Sequence, residues 1–490
     1  MRNLARARGG LTSDIGHEQV RDRMARQYAA MPPGSPVRLA KRTSNLFRPR
    51  EQSSAPGLDA SGLDQVLSVD PVTRTADVQA MTTYEHLVDA TLAHGLMPLV
   101  VPQLKTITIG GAVTGLGIES SSFRSGLPHE SVRELEILTG AGEVVVAAPD
   151  GSHSDLFHAF PNSYGTLGYA LRLVIDLEPV HPFVRLRHVH FTDLAALTDT
   201  VAQIVAASAF DGEPVDFLDG TVFGADDAYL TLGSWSDAAP HTSDYTGRQI
   251  YYRSIRTRET DYLSVRDYLW RWDTDWFWCS RAFGAQNRLV RALWPKRWLR
   301  SDVYSRVVRW ESRHQVVGRL DRWRGRQPRE HVVQDVEIPL GRTAEFLHWF
   351  LREVPISPVW LCPLRLRGDR PGPLTATSAS PDFAPPGGPG RQGGQGIWPL
   401  YPLRPDETYV NVGFWSTVPI LPESSDGEVN RRIEEAVADH DGHKSLYSQA
   451  YYPPEEFWAL YGGTVYREVK ARYDPASRLL DLYAKAVGRR

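Results

Sequence analysis

The residues best placed to do chemistry lie between Lys105 and Gly126, KTITIGGAVTGLGIESSSFRSG, where Gly110, Gly111, Gly115 and Gly117 fall within eight positions. Residues without a Cβ let backbone N–H groups approach a ligand closely, as they do around a phosphate. Ile107 and Ile109 alternate about Thr108 like a strand, so the glycines are expected to form a loop after it. The spacing matches neither G-x-G-x-x-G nor G-x-x-x-x-G-K-[ST], which argues against both nucleotide motifs. A plain turn between strands is the alternative. Cys279 and Cys362 are the only cysteines and form no C-x-x-C pair, so neither a disulfide framework nor a thiolate zinc site is expected, and no metal is assigned.

The stretch that follows has a specific order. Val132 to Pro149 reads as two strands joined by Gly140-Ala141-Gly142. Ser154-Asp155-Leu156-Phe157 comes next, then Asn162-Ser163-Tyr164-Gly165-Thr166-Leu167-Gly168, then a strand from Ala170 to Leu177. This series resembles the second half of the FAD-binding domain of the vanillyl-alcohol oxidase superfamily. The resemblance implies that Thr108, Gly110, Gly111, Gly115, Gly117, Ser120 and Ser121 lie along the FAD pyrophosphate. It also implies that Gly165, Thr166, Gly168 and Ile175 lie near the flavin. Where that superfamily often carries a histidine bonded to FAD, this chain has Lys41-Arg42-Thr43-Ser44-Asn45. Lys41, Thr43, Ser44 and Asn45 are therefore expected phosphate contacts, and FAD is expected to be non-covalent.

Within the superfamily, Gly115 to Ser122 (G-x-G-I-E-S-S-S) resembles the 24-dehydrocholesterol reductase (Diminuto/Dwarf1) family. The likeness continues through Val332-Val333-Gln334-Asp335, Pro358 to Pro363, Tyr409-Val410-Asn411-Val412-Gly413 and Glu456-Phe457-Trp458, covering most of residues 60 to 470. It implies reduction of an isolated carbon–carbon double bond in a lipid, with FAD and NADPH. Such a reaction needs a hydride on one carbon and a proton on the other. Glu119, Lys470 and Tyr447 are the candidate acids, with Tyr452 beside them. Each has a plainer reading. Glu119 could brace the glycine stretch, and Lys470 could lie on an amphipathic terminal helix, although Lys470 to Pro475 resembles the K-x-x-x-D-P element that returns to the flavin domain. Actinobacterial relatives point to a methylene-branched acyl chain on a phospholipid as substrate and a SAM-dependent methyltransferase as partner. Sterol or isoprenoid reduction, sugar or alcohol oxidation, and a non-catalytic flavin-binding partner of the methyltransferase are the alternatives.

These residues need a scaffold. At 490 residues the chain suggests more than one core. The expected class is α+β: an FAD domain over 1–180, an antiparallel-sheet substrate domain over 181–440, and a C-terminal segment, 441–490, folding back. Two strand–helix–strand sets suggest a ferredoxin-like substrate domain, while 367–397 is rich in Gly and Pro and is expected to be a mobile loop. Between the sets, 262–329 holds eight of the 14 tryptophans, and 281–329 has 14 Lys/Arg against three Asp/Glu. Such a segment suits an anionic membrane surface, less well a nucleic acid, and equally a helical insertion with core tryptophans. No apolar run is long enough to span a bilayer, and the N-terminus lacks the apolar core of a signal peptide. A cytoplasmic protein, peripheral at the inner face of the plasma membrane, is the expected setting.

Overall fold

The computed structural model describes residues 2–41, 57–247, 249–314, 327–367, 398–420, 423–425 and 427–487, with no side-chain description for 2–15 and 308–314. Thr43, Ser44, Asn45 and residues 368–397 of the expected loop lie outside the described residues.

The first sheet is built on the long strand Gly168–Pro179, flanked by Thr75–Gln79 and Val132–Thr139, with Val66–Asp70 and Val144–Ala147 outermost. The Asp70 carboxylate closes the first hairpin by accepting from Val72 N at 2.8 Å and Thr73 N at 3.3 Å. Helix Tyr84–Leu92 follows, capped by Thr83, whose side chain accepts from His86 N. Gly95, at φ +70°, turns the chain out of that helix. The strand Leu96–Pro98 then pairs with Leu177–Pro179. Pro98 has no N–H to extend the ladder, which ends the strand there. The N-terminal helix, Arg2–Ala30, buries Met24 and Tyr28 against Val37, Leu58, Leu138 and Tyr169.

The second sheet has eight strands, all paired antiparallel, in the order Thr260–Ser264, Phe183–Phe191, Asp227–Ser236, Phe217–Gly224, Val359–Arg365, Thr408–Pro419, Arg329–Pro339 and His443–Lys444. The two sets seen in the sequence join into one sheet where Gly220 pairs with Leu361. Period-two alternation divides its residues between two faces. Val332, Val336, Ile338, Val412 and Phe414 pack under helices Leu194–Ala207, Leu340–Glu353 and Glu428–Asp439. Asp335 and Glu337, opposite Gly413 and Asn411, point to the other side, together with Trp360 and Cys362. The architecture is α+β, with an FAD-domain sheet and a separate antiparallel sheet backed by helices.

The chain then returns to the first sheet. Ala141 N donates to Tyr473 O at 2.8 Å, and Arg472 pairs with Asp155 at 2.9 Å. In the tryptophan-rich segment, Trp270, Trp272, Trp276 and Trp278 are buried in the core between the sheets. Those four are packing residues, so the helical-insertion reading holds for this part of the segment. Among the described residues no helix is long and apolar enough to cross a membrane.

Candidate flavin and substrate site

The glycine stretch is not the expected loop after a strand. Ile109–Gly115 is a helix, and Thr108 is its N-cap, accepting from Gly111 N at 3.2 Å. Gly110 N donates to Ala80 O at 2.9 Å, and a Cβ on Gly110 would stand 2.7 Å from that oxygen. Gly110 is therefore required for close approach of helix and sheet. Gly111 is different: a Cβ there would meet only Thr108 Oγ1, at 2.8 Å. Gly110→Ala is expected to lower the melting temperature by several degrees with loss of bound flavin, whereas Gly111→Ala shifts it less; thermal unfolding with flavin absorbance checks both. From Gly111 the accessible surface resumes at Thr114 and runs through Gly115, Leu116, Gly117 and Ile118.

Beyond Ile118 the chain turns into a buried ion network. Glu119 Oε1 accepts from Ser120 N at 2.8 Å and Ser120 Oγ at 2.7 Å, and lies 3.4 Å from Arg271. Arg271, fully buried, also meets Asp219 at 2.8 Å. Indole N–H groups of Trp272 and Trp360 each reach the same Asp219 oxygen at 3.3 Å. Burial pushes the Glu119 carboxyl above its usual range, and Arg271 opposes that shift. Glu119 thus ties the flavin domain to the tryptophan-rich insertion through Arg271, which in turn meets Asp219 of the second sheet. Ser121 Oγ is likewise committed, to Leu99 O at 2.8 Å.

The titratable groups of the second sheet's open face gather at one place. Asn411 Nδ2 donates to Asp335 Oδ1 at 3.2 Å. Tyr447 hydrogen-bonds Asp335 and accepts from Trp415 Nε1 at 3.0 Å. A Cβ on Gly413 would strike the Asp335 carboxyl, so the bare glycine makes its room. Ser445 Oγ donates to Glu337 Oε1 at 2.9 Å, and Tyr401 bonds the same carboxyl. Burial pushes Asp335 up to about 7, while Asn411 and Tyr447 pull the other way. Burial, then Asp335's own field, holds Glu337 well above the carboxylate range. Asp335, Trp415 and Tyr447 each keep partial exposure to solvent, so a ligand can reach this end of the cluster.

Tyr164 ties this cluster to the glycine helix. Its hydroxyl donates to Gly115 O at 2.7 Å, and its field reaches Tyr447 and Tyr401. Next to it, Asn162 Nδ2 donates to Leu400 O at 2.6 Å while its Oδ1 has no partner. Both ring nitrogens of His129 and the Oδ1 of Asn411 are also buried without partners among the described residues. Buried polar atoms are almost always paired. Asn162 Oδ1, next to Tyr164, and Asn411 Oδ1, beside Asp335, are groups that a cofactor rich in donors and acceptors would satisfy, so the residues present fit FAD.

The remaining sequence candidates have structural places. Lys470 Nζ reaches Thr166 O at 2.7 Å, Leu479 O at 2.8 Å and Asp474 at 2.7 Å, which fixes the terminal helix Gly463–Tyr473 to the flavin domain. Thr166 Oγ1 bonds Ser163 O at 2.8 Å, within the turn where Gly165 sits at φ +74°. Gly168 packs on Ile137, and Ile175 is fully buried in the core of the sheet; neither faces the crevice. Tyr452 is buried near Tyr461, and Lys41 is exposed. Asp335, Glu337 and Asn411 were given no role from the sequence. The signal for them is the alternation over 332–338, which puts both acids on the face opposite Val332, Val336 and Ile338.

Residues 23–148 match the family model of an FAD binding domain. The chain is similar to the Delta(24)-sterol reductase of Arabidopsis thaliana, 26% identical over 453 residues, covering 88% of this chain and 76% of that protein. It is similar to the Delta(24)-sterol reductase of Homo sapiens, 25% identical over 440 residues, covering 86% and 76%. Cytokinin dehydrogenase 9 of Oryza sativa subsp. japonica is 31% identical over 157 residues, covering 32% of this chain and 29% of that protein. The fold and these likenesses agree: the chain is an FAD-dependent oxidoreductase with a flavin domain of the vanillyl-alcohol oxidase type, homologous over most of its length to Delta(24)-sterol reductases.

Proposed function

We propose that this protein reduces a carbon–carbon double bond in a lipid, with NADPH as the electron source and Asp335 as the proton donor. The observation that carries the reading is the Asp335 cluster, an acid kept neutral by burial beside an aromatic wall. Phe277 stacks on Trp415 with ring centroids 4.3 Å apart and meets Trp360 edge-on at 5.4 Å, an apolar surface suited to a hydrocarbon. FAD, when bound and reduced, supplies the hydride.

The protein's own task is the proton. Asp335 receives hydrogen bonds from Asn411 and Tyr447, so its lone pairs are engaged and its own O–H is the group left to donate outward. Tyr447 is held by Trp415, and burial keeps its hydroxyl well above the ordinary phenol range, so it orients Asp335 and stays protonated. The aromatic wall offers the alkene an apolar surface beside the acid.

Resemblance to the methylene-acyl reductases favours a methylene branch on a phospholipid-bound acyl chain, delivered by a SAM-dependent methyltransferase. The names of the relatives favour a sterol side chain second. Mass spectrometry of lipids from cells expressing this chain, with and without a methylene-forming methyltransferase, tests the assignment. Methyl-branched chains are expected only when both proteins are present. Persistence of the methylene lipid, with no bleaching of the flavin band by NADPH, would overturn the reading.

A further inference from the structure

The helix Arg288–Leu293 is amphipathic in the wrong sense for a surface helix. Arg291 is the residue that points inward. It is buried, pairs with Asp275 at 2.6 Å, and donates to Gly247 O at 2.6 Å and Gln249 O at 3.1 Å. Asn287 caps the first turn, accepting from Leu289 N and Val290 N. With a cation and a cap fixing its orientation, the helix turns its apolar residues outward. Leu289 is 78% and Leu293 86% exposed, and Trp298, in the next turn, is 49% exposed. Leu289 and Leu293 are four residues apart, so they form one ridge. Exposed large apolar residues in water forgo about 25 cal/mol per Å² of burial, so the leucine ridge, with exposed Trp298 shortly after it in the chain, is a candidate binding surface.

The charges around the ridge identify the occupant. From Trp276 to Ser301 the sequence has six Lys/Arg and no Asp or Glu. Arg288, Lys296 and Arg297 are exposed, and among the described residues Lys296 pairs with Asp244 at 3.7 Å, both side chains mostly in solvent. The Arg297 guanidinium lies 5.9 Å from the Trp298 ring centre. We propose that this face, Leu289, Leu293 and Trp298 ringed by Arg288, Lys296 and Arg297, docks the protein on an anionic lipid bilayer. Leucines enter the acyl boundary, tryptophan sits at headgroup depth, and the cations meet lipid phosphate. A second copy of the chain would bring like charges face to face. A nucleic acid would meet the cations and leave the leucines in water.

The surface argument does not use the reaction, so it stands or falls separately from the reductase assignment. The flavin-loaded protein is floated with phosphatidylglycerol–phosphatidylcholine vesicles and with pure phosphatidylcholine vesicles at low and high salt. Binding is expected to the anionic vesicles, weakening as salt screens the headgroups over about 10 Å at 0.1 M. Leu289→Ser with Leu293→Ser should lower the vesicle partition coefficient about tenfold or more. These side chains are exposed, so the variant's melting temperature and flavin spectrum should match the parent. Brominated anionic lipid should quench part of the tryptophan emission in the parent and less in Trp298→Phe. No flotation of the parent, equal flotation of the leucine variant, equal quenching in Trp298→Phe, or a concentration-dependent dimer abolished by the leucine variant without vesicle binding would each overturn the proposal.

Discussion

Asp335→Asn is expected to lower alkene reduction by about a hundredfold to ten-thousandfold, the range for loss of a positioned general acid. Flavin reduction by NADPH and the fold should be kept. Asparagine has nearly the shape of aspartate and can still meet Asn411 and Tyr447, but it has no acidic proton. In the parent, burial holds Asp335 neutral up to about pH 7. Turnover should fall as pH rises through that value, and this limb should be missing from the residual activity of the variant. Stability carries the same signature with a definite sign. The folded state holds the Asp335 proton more tightly than the unfolded chain, whose aspartate has its ordinary value of 3.8. The burial of this group therefore makes the protein lose stability as pH rises from about 4 to about 7, and the decline is absent in Asp335→Asn. Glu337, coupled to the same carboxyl, resists ionising alongside it, so the pair should titrate in separate steps. Stopped-flow flavin reoxidation by substrate and urea unfolding across pH read the two effects.

Arg271→Met should cost about 3–5 kcal/mol of stability, the usual penalty for leaving a buried charge without its partner. The side chain fills a similar volume, but Asp219 and Glu119 would then face each other buried, without their shared cation. Because Glu119 adjoins the glycine helix and Asp219 belongs to the second sheet, flavin content should fall with stability. A control on an exposed pair, Arg342→Met beside Glu345, should cost no more than about 1 kcal/mol. Combining Arg271→Met with Asp219→Asn and Glu119→Gln should recover much of the loss, because the stranded charges go too. Thermal unfolding of the four proteins tests the series; a fully stable Arg271→Met would show that the network is not a brace.

Period-two patterns and punctuation made most elements legible in the sequence. Asp70-Pro71, Thr83 with Gly95, and Gly140-Ala141-Gly142 each mark a turn or cap where the structure has one. The strands around Val332 and Tyr409 also stand where the residues alternate. The glycine helix was misread because Ile107 and Ile109 alternate like a strand. What decides the conformation is Thr108 as a cap and the contact of Gly110 with Ala80, 30 residues earlier in sequence, which no local pattern contains. The tryptophans were ambiguous for a similar reason. Trp272 and Trp298 belong to the same tryptophan-rich segment, and only tertiary packing buries one and exposes the other. Asp335 needed the sheet register, since its meaning comes from Gly413, Asn411 and Tyr447 across the strands.

The alternation in the second sheet has an evolutionary consequence. Residues 332, 336, 338, 412 and 414 pack under the helices, whereas 335, 337, 411, 413 and 415 lie on the opposite face, where the proposed proton donor sits. Neighbours in sequence thus answer to different selective pressures. A lineage can exchange every second residue along these strands, adapting the crevice to a longer, branched or ring-bearing hydrocarbon, without disturbing the helices behind the sheet. The same scaffold is in that sense a keyboard with its strings on one side and its keys on the other.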